Sequence, residues 1–304
     1  MWPWLVGSAI LVVIATRIPL ASFRAELGHG PHLLLAAVDF AVTTLVLCTD
    51  SFATWIGLIV LRMRRPLAKV FVVRGATYLL YVINYALGQG GFGYYLHRSG
   101  ATSLRAVGAT LFLMGTNLAT LLVVTSITLA VHGSGTAPGA MVWTLIAACI
   151  GFAFYLSVIA SAPRFLVRRQ VLEPLFDAGL RGHAVAMIGR IPHMALVVLG
   201  NWVAMRAWGI PVPFGVAITI MPVVAIISVL PISPAGLGTT QVAMVYFFST
   251  YASGITADDR AAGVLAFAIV HFVYGVLACV VIGLVCTPFA KRGGDLPGIA
   301  ADVA

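Results

Sequence analysis

The sequence predicts an all-α polytopic membrane protein with six crossings and two re-entrant helical hairpins arranged as an inverted repeat. Three observations carry this. Of the 304 residues, 61% are apolar and only 9% charged, against roughly 45–50% and about 25% in a soluble domain, and the mean hydropathy is +1.05. Apolar runs of membrane length recur along the chain, and the longest polar stretch, around Arg164 to His183, is too short to fold as a second domain. The basic residues gather in a few loops instead of spreading evenly.

A crossing helix needs about 20 apolar residues. The candidates are Trp2–Ile18, His32–Leu61, Ala106–Val131, Met141–Ala162, Ala184–Trp208 and Ala261–Pro288. The first run lacks a basic n-region, so it reads as a membrane helix and not as a cleaved signal. Two further stretches are interrupted. Pro66–Ala86 is followed by Tyr94–Leu104 across the turn Leu87–Gly93, and Pro213–Leu230 by Thr239–Tyr251 across Pro231–Gly238.

Loop charge decides whether the interrupted stretches cross or return, because cytoplasmic loops collect Lys and Arg. If Pro66–Ala86 crosses, Arg164, Arg168 and Arg169 fall outside, and the charge-free loop His132–Gly139 falls inside. If that stretch turns back, twelve of the 18 basic residues become cytoplasmic: Arg62, Arg64, Arg65, Lys69, Arg98, Arg105, Arg164, Arg168, Arg169, Arg181, Lys291 and Arg292. Arg17, Arg24, Arg206 and Arg260 then lie outside with Glu26, Asp258 and Asp259. The re-entrant arrangement therefore satisfies the rule. It places both termini in the cytoplasm.

The chain reads as one integral membrane domain. Residues 1–132 form a first half-repeat and 133–139 an external loop; residues 140–288 form a second, inverted half and 289–304 a cytoplasmic tail. Each half runs crossing, crossing, hairpin, crossing, with opposite orientation, which is a plan common to transporters. The turns match locally too: Gly90-Gly91-Phe92-Gly93 against Ala235-Gly236-Leu237-Gly238.

Irregular backbone at membrane depth is tolerated only where protein or water covers its polar groups, so two such turns imply a lined cavity. Helices starting at Tyr94 and Thr239 would present free N–H groups and partial positive charge to an anion. Glycine lets a ligand approach the backbone. The expected binding residues are Gln89, Gly90, Gly91, Gly93, Arg98, Ser233, Gly236, Gly238, Thr239 and Gln241. The alternative is that the turns only pack on one another.

The run Leu230-Pro-Ile-Ser-Pro-Ala-Gly-Leu-Gly-Thr-Thr-Gln241 resembles the LPISPGGLGxxE signature of the lysylphosphatidylglycerol synthase transmembrane region family, whose members are flippase-like integral membrane proteins. Asn84-Tyr-Ala-Leu-Gly-Gln-Gly-Gly-Phe-Gly93 is similar to its first motif, NYLLPxRxGE. The resemblance implies a protein that binds a phospholipid or isoprenoid-linked lipid and moves it between leaflets. This chain departs from the pattern where it carries charge. The first-motif Glu falls on Tyr94 and its following Arg on His97, with Arg98 adjacent, while the second-motif Glu becomes Gln241. Anion binding at the helix ends survives these changes; recognition through a carboxylate does not. A non-catalytic partner of a lipid headgroup transferase or glycosyl transferase is the second expectation.

Ionisable residues within apolar helices mark functional sites or structural ion pairs. Asp39 and Asp50 are eleven residues apart and share a helix face, so one of them is expected to pair with Arg74 or Arg190 in an intramembrane charge network. Asn117, Asn201 and His271 are expected in hydrogen bonds between helices, and His193 beside a kink at Pro192. Phe165–Phe176 is expected to lie as an amphipathic segment on the membrane surface. Trp2, Trp4, Trp143 and Trp208 fall near span ends and read as interface anchors. The cysteines Cys48, Cys149, Cys279 and Cys286 are scattered without a C-x-x-C pair. No metal-ligand, catalytic or cofactor motif is present, and no aromatic-interleaved basic stripe for nucleic acid.

Overall fold

The computed structural model describes residues 19–132, 139–229 and 236–292. Among these residues every regular element is helical. In order they are α1 (Leu20–His29), α2 (His32–Val60), α3 (Leu67–Ile83), α4 (Tyr85–Arg98), α5 (Ser103–His132), α6 (Gly139–Ser161), the single turn α7 (Arg164–Val167), α8 (Glu173–Ala207), α9 (Phe214–Val229), α10 (Thr239–Phe248) and α11 (Ala257–Arg292), with a 3-10 turn at Ser249–Tyr251. Five are long and apolar enough to cross a membrane: α2, α5, α6, α8 and α11. The expected first crossing, Trp2–Ile18, lies outside the described residues.

Contacts between the long helices define two ends. At one, Arg105 of α5 donates to Glu173 at 2.9 Å and lies 3.6 Å from Asp177, both on α8. At the other, Ser22 of α1 donates to Asp259 of α11 at 2.8 Å, and Gly30 lies against the Trp208 ring at the end of α8. Trp208 is thus buried and is no exposed interface anchor, whereas Trp143 is exposed.

The shorter helices form two hairpins. Arg65, just before α3, donates to the Ser99 carbonyl just after α4, so the first hairpin opens and closes at the basic end. The start of α9 abuts His132, at the end of α5, so the second hairpin opens at the opposite end. With 17, 14, 16 and 10 residues, the four helices are each about 15–25 Å long, short of the roughly 30 Å hydrocarbon core.

The break in the first hairpin is not where the glycines predicted it. The chain turns at Asn84, whose extended backbone (φ −165°, ψ 142°) carries a side chain that caps α4 by accepting from the Ala86 N–H. Gly88–Gly93 is helical, and α4 begins at Tyr85 instead of Tyr94. These glycines serve close approach. A Cβ on Gly88 would sit 2.5 Å from the Tyr81 ring, one on Gly91 2.5 Å from Leu80 Cδ1, and one on Gly93 2.8 Å from Thr110 Oγ1 of α5. A helix loses only about 1 kcal/mol per glycine, which tight packing of α4 between α3 and α5 offsets. The second turn does need glycine: Gly236 and Gly238 have φ of 77° and 88°.

Two further expectations change. Pro192 sits inside α8, but the non-helical residue is Gly179 (φ 56°, ψ −174°), so the kink is displaced towards the basic end. Phe165–Phe176 is not one amphipathic segment. It divides into α7, a turn, and the first turn of α8, where Pro174 suits the helix start.

Among the described residues the core has three buried clusters. The largest joins α8 to the second hairpin and α11 through Trp208, Ile220, Phe248 and Phe267. A second surrounds the first hairpin through Phe92, Tyr95 and Phe112. A third seals α3 against α11 through Tyr78, Ile282 and Cys286.

Candidate functional site

The first hairpin carries a charge deep into the molecule. Arg74, on α3, donates to the Asp50 carboxylate of α2 through Nε at 2.7 Å and also through Nη2. Its Nη1 donates to Gln89 Oε1 of α4 at 3.3 Å, and Gln89 Nε2 donates to the Tyr85 hydroxyl at 2.9 Å. The guanidinium lies over the Tyr81 and Phe92 rings, 5.5 and 5.4 Å from their centroids. Arg190 of α8 completes the group. It is 3.6 Å from Asp50 Oδ1 and donates to Asn117 Oδ1 at 3.2 Å and Thr116 Oγ1 at 3.3 Å on α5. His193, one turn on, reaches Thr49 at 3.5 Å.

Side-chain exposure of Asp50, Arg74 and Arg190 is only 7%, 5% and 4%. Two guanidinium groups share one carboxylate, so the cluster holds one positive charge without a negative partner among the described residues. Burying an unpaired charge is costly, so the electrostatics of the cluster are suited to an anion.

Asp39 does not join this network. Its Oδ1 lies 2.8 Å from His271 Nδ1 of α11, and His271 Nε2 is 3.2 Å from Asn201 Oδ1 of α8. The shared face of Asp39 and Asp50 is real, but the two look onto different neighbours: α11 near the start of α2, and α3 with α8 further along. Asn117, Asn201 and His271 all bond between helices.

Arg98 lies elsewhere again, at the mouth of the first hairpin. With Arg64, Arg65, Lys69, Tyr95 and Ser99 it lines a pocket of about 420 Å³. α3 starts beside this pocket with no side-chain cap and no acid in its first turn, so its N–H groups and dipole add to the positive field.

Gly236, Gly238, Thr239 and Gln241 lie at the second hairpin. Gln241 is buried and its Oε1 accepts from the Gly238 N–H at 2.6 Å, capping α10 from within. Thr239 Oγ1 donates to the Gly236 carbonyl at 3.1 Å. Ser233 lies outside the described residues. A Cβ on Gly90 would meet nothing within 4 Å, so it opens away from its neighbours. α4 packs on α3 and α5 while α10 packs on α9 and α11. Among the described residues, the expected residues therefore fall in three places: the first hairpin, the basic pocket at its mouth and the second hairpin. Tyr85, Thr116 and the Arg74 cation–π pair escaped sequence reasoning, because nothing in spacing distinguishes them from core residues.

No family model matches the chain, and a search of curated proteins finds no match either.

Proposed function

We propose that the chain is a flippase-like transporter that binds an anionic lipid headgroup and moves it between leaflets. The observation that carries this reading is the uncompensated positive charge of the Asp50–Arg74–Arg190 cluster, held at the level of hairpin helices too short to cross. A phosphate is the common anion of phospholipids and isoprenoid-linked lipids, and planar guanidinium groups bind it well. The pocket of Arg64, Arg65, Lys69 and Arg98 is the receiving site at the basic, cytoplasmic end. The buried cluster is the next positive station along the same hairpin.

In this reading the membrane plan is six crossings and two re-entrant hairpins, with Trp2–Ile18 as the sixth crossing. Hairpins that open at opposite ends support an inverted repeat, and the likeness of Leu230–Gln241 to the flippase-like signature supports the lipid assignment. Alternating access then comes from movement of one half against the other.

Leaflet-specific accessibility of a fluorescent phosphatidylglycerol in proteoliposomes, read with an impermeant quencher, tests this. Wild type should move the anionic lipid faster than empty liposomes do, and faster than it moves a zwitterionic analogue. Arg190→Met and Arg98→Ala should each slow movement by about tenfold, a loss of roughly 1.4 kcal/mol. Wild-type movement no faster than in empty liposomes, or unaltered by Arg190→Met, overturns the proposal.

A further inference from the structure

We infer that Asp39 and His271 form a proton-binding site at the seam of α2, α8 and α11, with one exchangeable proton held between carboxylate and imidazole. The inference stands without the lipid reading, because it follows from counting hydrogens.

Asn201 Nδ2 donates to the Val197 carbonyl at 2.8 Å. A carbonyl only accepts, so the amide nitrogen belongs on that side and the amide oxygen on the other. That oxygen faces His271 Nε2 at 3.2 Å, so Nε2 carries a hydrogen. The second ring nitrogen, Nδ1, is 2.8 Å from Asp39 Oδ1. A bare ring nitrogen and a carboxylate oxygen both present lone pairs, and they close to this distance only around a proton. The pair is therefore an imidazolium with a carboxylate, or an imidazole with a carboxylic acid. Both forms are neutral overall.

Release transfers the shared proton to hydroxide or a buffer base. It leaves an Asp39 carboxylate and a neutral imidazole protonated at Nε2, with lone pairs opposed and one negative charge at the seam. The Asp39 side chain is 2% exposed and that of His271 25%, so His271 is the more accessible of the two. Asp39 Oδ2 is buried and has no hydrogen-bond partner among the described residues. Its charge thus rests on the single contact with His271, and such unsatisfied buried groups call for a functional account.

The surroundings favour a proton over another ligand. His271 stacks on Phe267, with centroids 5.2 Å apart and planes 13° apart, which covers one ring face with hydrocarbon. Among the described residues, the other ionisable groups along the seam are His32 of α2, Tyr274 of α11 and, against Gly263 of α11, Glu26 of α1. α8 contributes the Asn201 amide, while its Arg206 turns to the Trp202 ring, 5.2 Å from the centroid. His32 Nε2 donates to the Leu27 carbonyl at 2.6 Å, so its Nδ1 accepts from the Tyr274 hydroxyl at 3.1 Å. This second pair joins the same two helices and extends the hydrogen-bonded seam to the start of α2. Three membrane-length helices meet at the site, and the shared proton joins two of them, α2 and α11.

The full chain in lipid nanodiscs, labelled with nitrogen-15 at histidine and assigned with His271→Gln, tests the site by NMR. In wild type, His271 should carry a hydrogen at Nε2 and share a second one with Asp39 at Nδ1. Asp39→Asn should remove that shared hydrogen. Asn201→Leu should release the fixed Nε2 hydrogen, so that the ring samples both tautomers. A His271 ring with a bare Nε2 in wild type overturns the inference, as does a spectrum unchanged by Asp39→Asn. The wild-type spectrum decides the tautomer even if a variant fails to fold. Lipid movement is not measured, so failure here is distinct from failure of the flippase reading.

Discussion

Replacing Asp50 tests the charge imbalance most directly. Asp50 accepts two bonds from Arg74 and lies 3.6 Å from Arg190, so among the described residues it is the one negative charge paired with two buried cations. Asp50→Leu leaves both guanidinium groups without a counter-charge. Breaking a buried pair in this way costs about 3–5 kcal/mol. Arg190→Met does the reverse: it leaves Asp50 and Arg74 as a neutral pair and removes the surplus charge. Thr116 still donates to the Phe112 carbonyl, so the main new orphan is Asn117 Oδ1. One lost acceptor bond costs about 1 kcal/mol, offset in part by the desolvation no longer incurred. The stability order is therefore wild type, Arg190→Met close behind, and Asp50→Leu far below. Reversible unfolding in mixed micelles, followed by tryptophan fluorescence, reads it. An Arg190→Met variant as damaged as Asp50→Leu refutes the claim that the cluster lacks negative charge. Combined with the transport assay, Arg190→Met separates function from stability.

Two further expectations use the same unfolding assay. Gly90→Ala should be neutral or stabilise by up to about 1 kcal/mol, since the position is helical and open. Gly91→Leu should instead cost about 1–3 kcal/mol by forcing α4 off α3; equal effects at the two positions would remove the close-packing account. At the second hairpin, Gln241→Leu should cost about 1–3 kcal/mol, because it strips the buried Gly238 N–H of its acceptor. Gly238→Ala should be similarly costly, because φ is 88° there. Full retention of stability in both variants would show that the turn does not depend on this cap.

Much of the fold was legible because hydrocarbon imposes a length and a composition on whatever crosses it. Five of the expected crossings correspond to long apolar helices, with starts displaced by up to about three turns where a polar first segment such as Glu173–His183 continues the helix. The end of the second turn was legible too, since Gly236 and Gly238 adopt the positive φ that glycine permits. Gly88–Gly93 misled for a physical reason. Glycine permits a turn and equally permits close helix packing, and only the neighbours Tyr81, Leu80 and Thr110 choose between them. Asn84, an ordinary N-cap residue, had no feature in the sequence to set it above the glycines.

The few charges show the division most clearly. Sequence alone determined that this chain belongs in a bilayer, which stretches are long and apolar enough to cross it, and that Asp39, Asp50, Arg74 and Arg190 lie where charge is costly. Composition and one-dimensional spacing suffice for those conclusions, because the solvent acts on each segment separately. Tertiary structure decided the pairing: Asp50 with both arginines, Asp39 with His271, and Arg98 in a pocket at the mouth of the first hairpin. Pairing depends on how helices more than 200 residues apart in the chain, such as α2 and α11, are rotated against one another. That rotation is set by the packing of whole apolar faces, a collective property that no local pattern encodes.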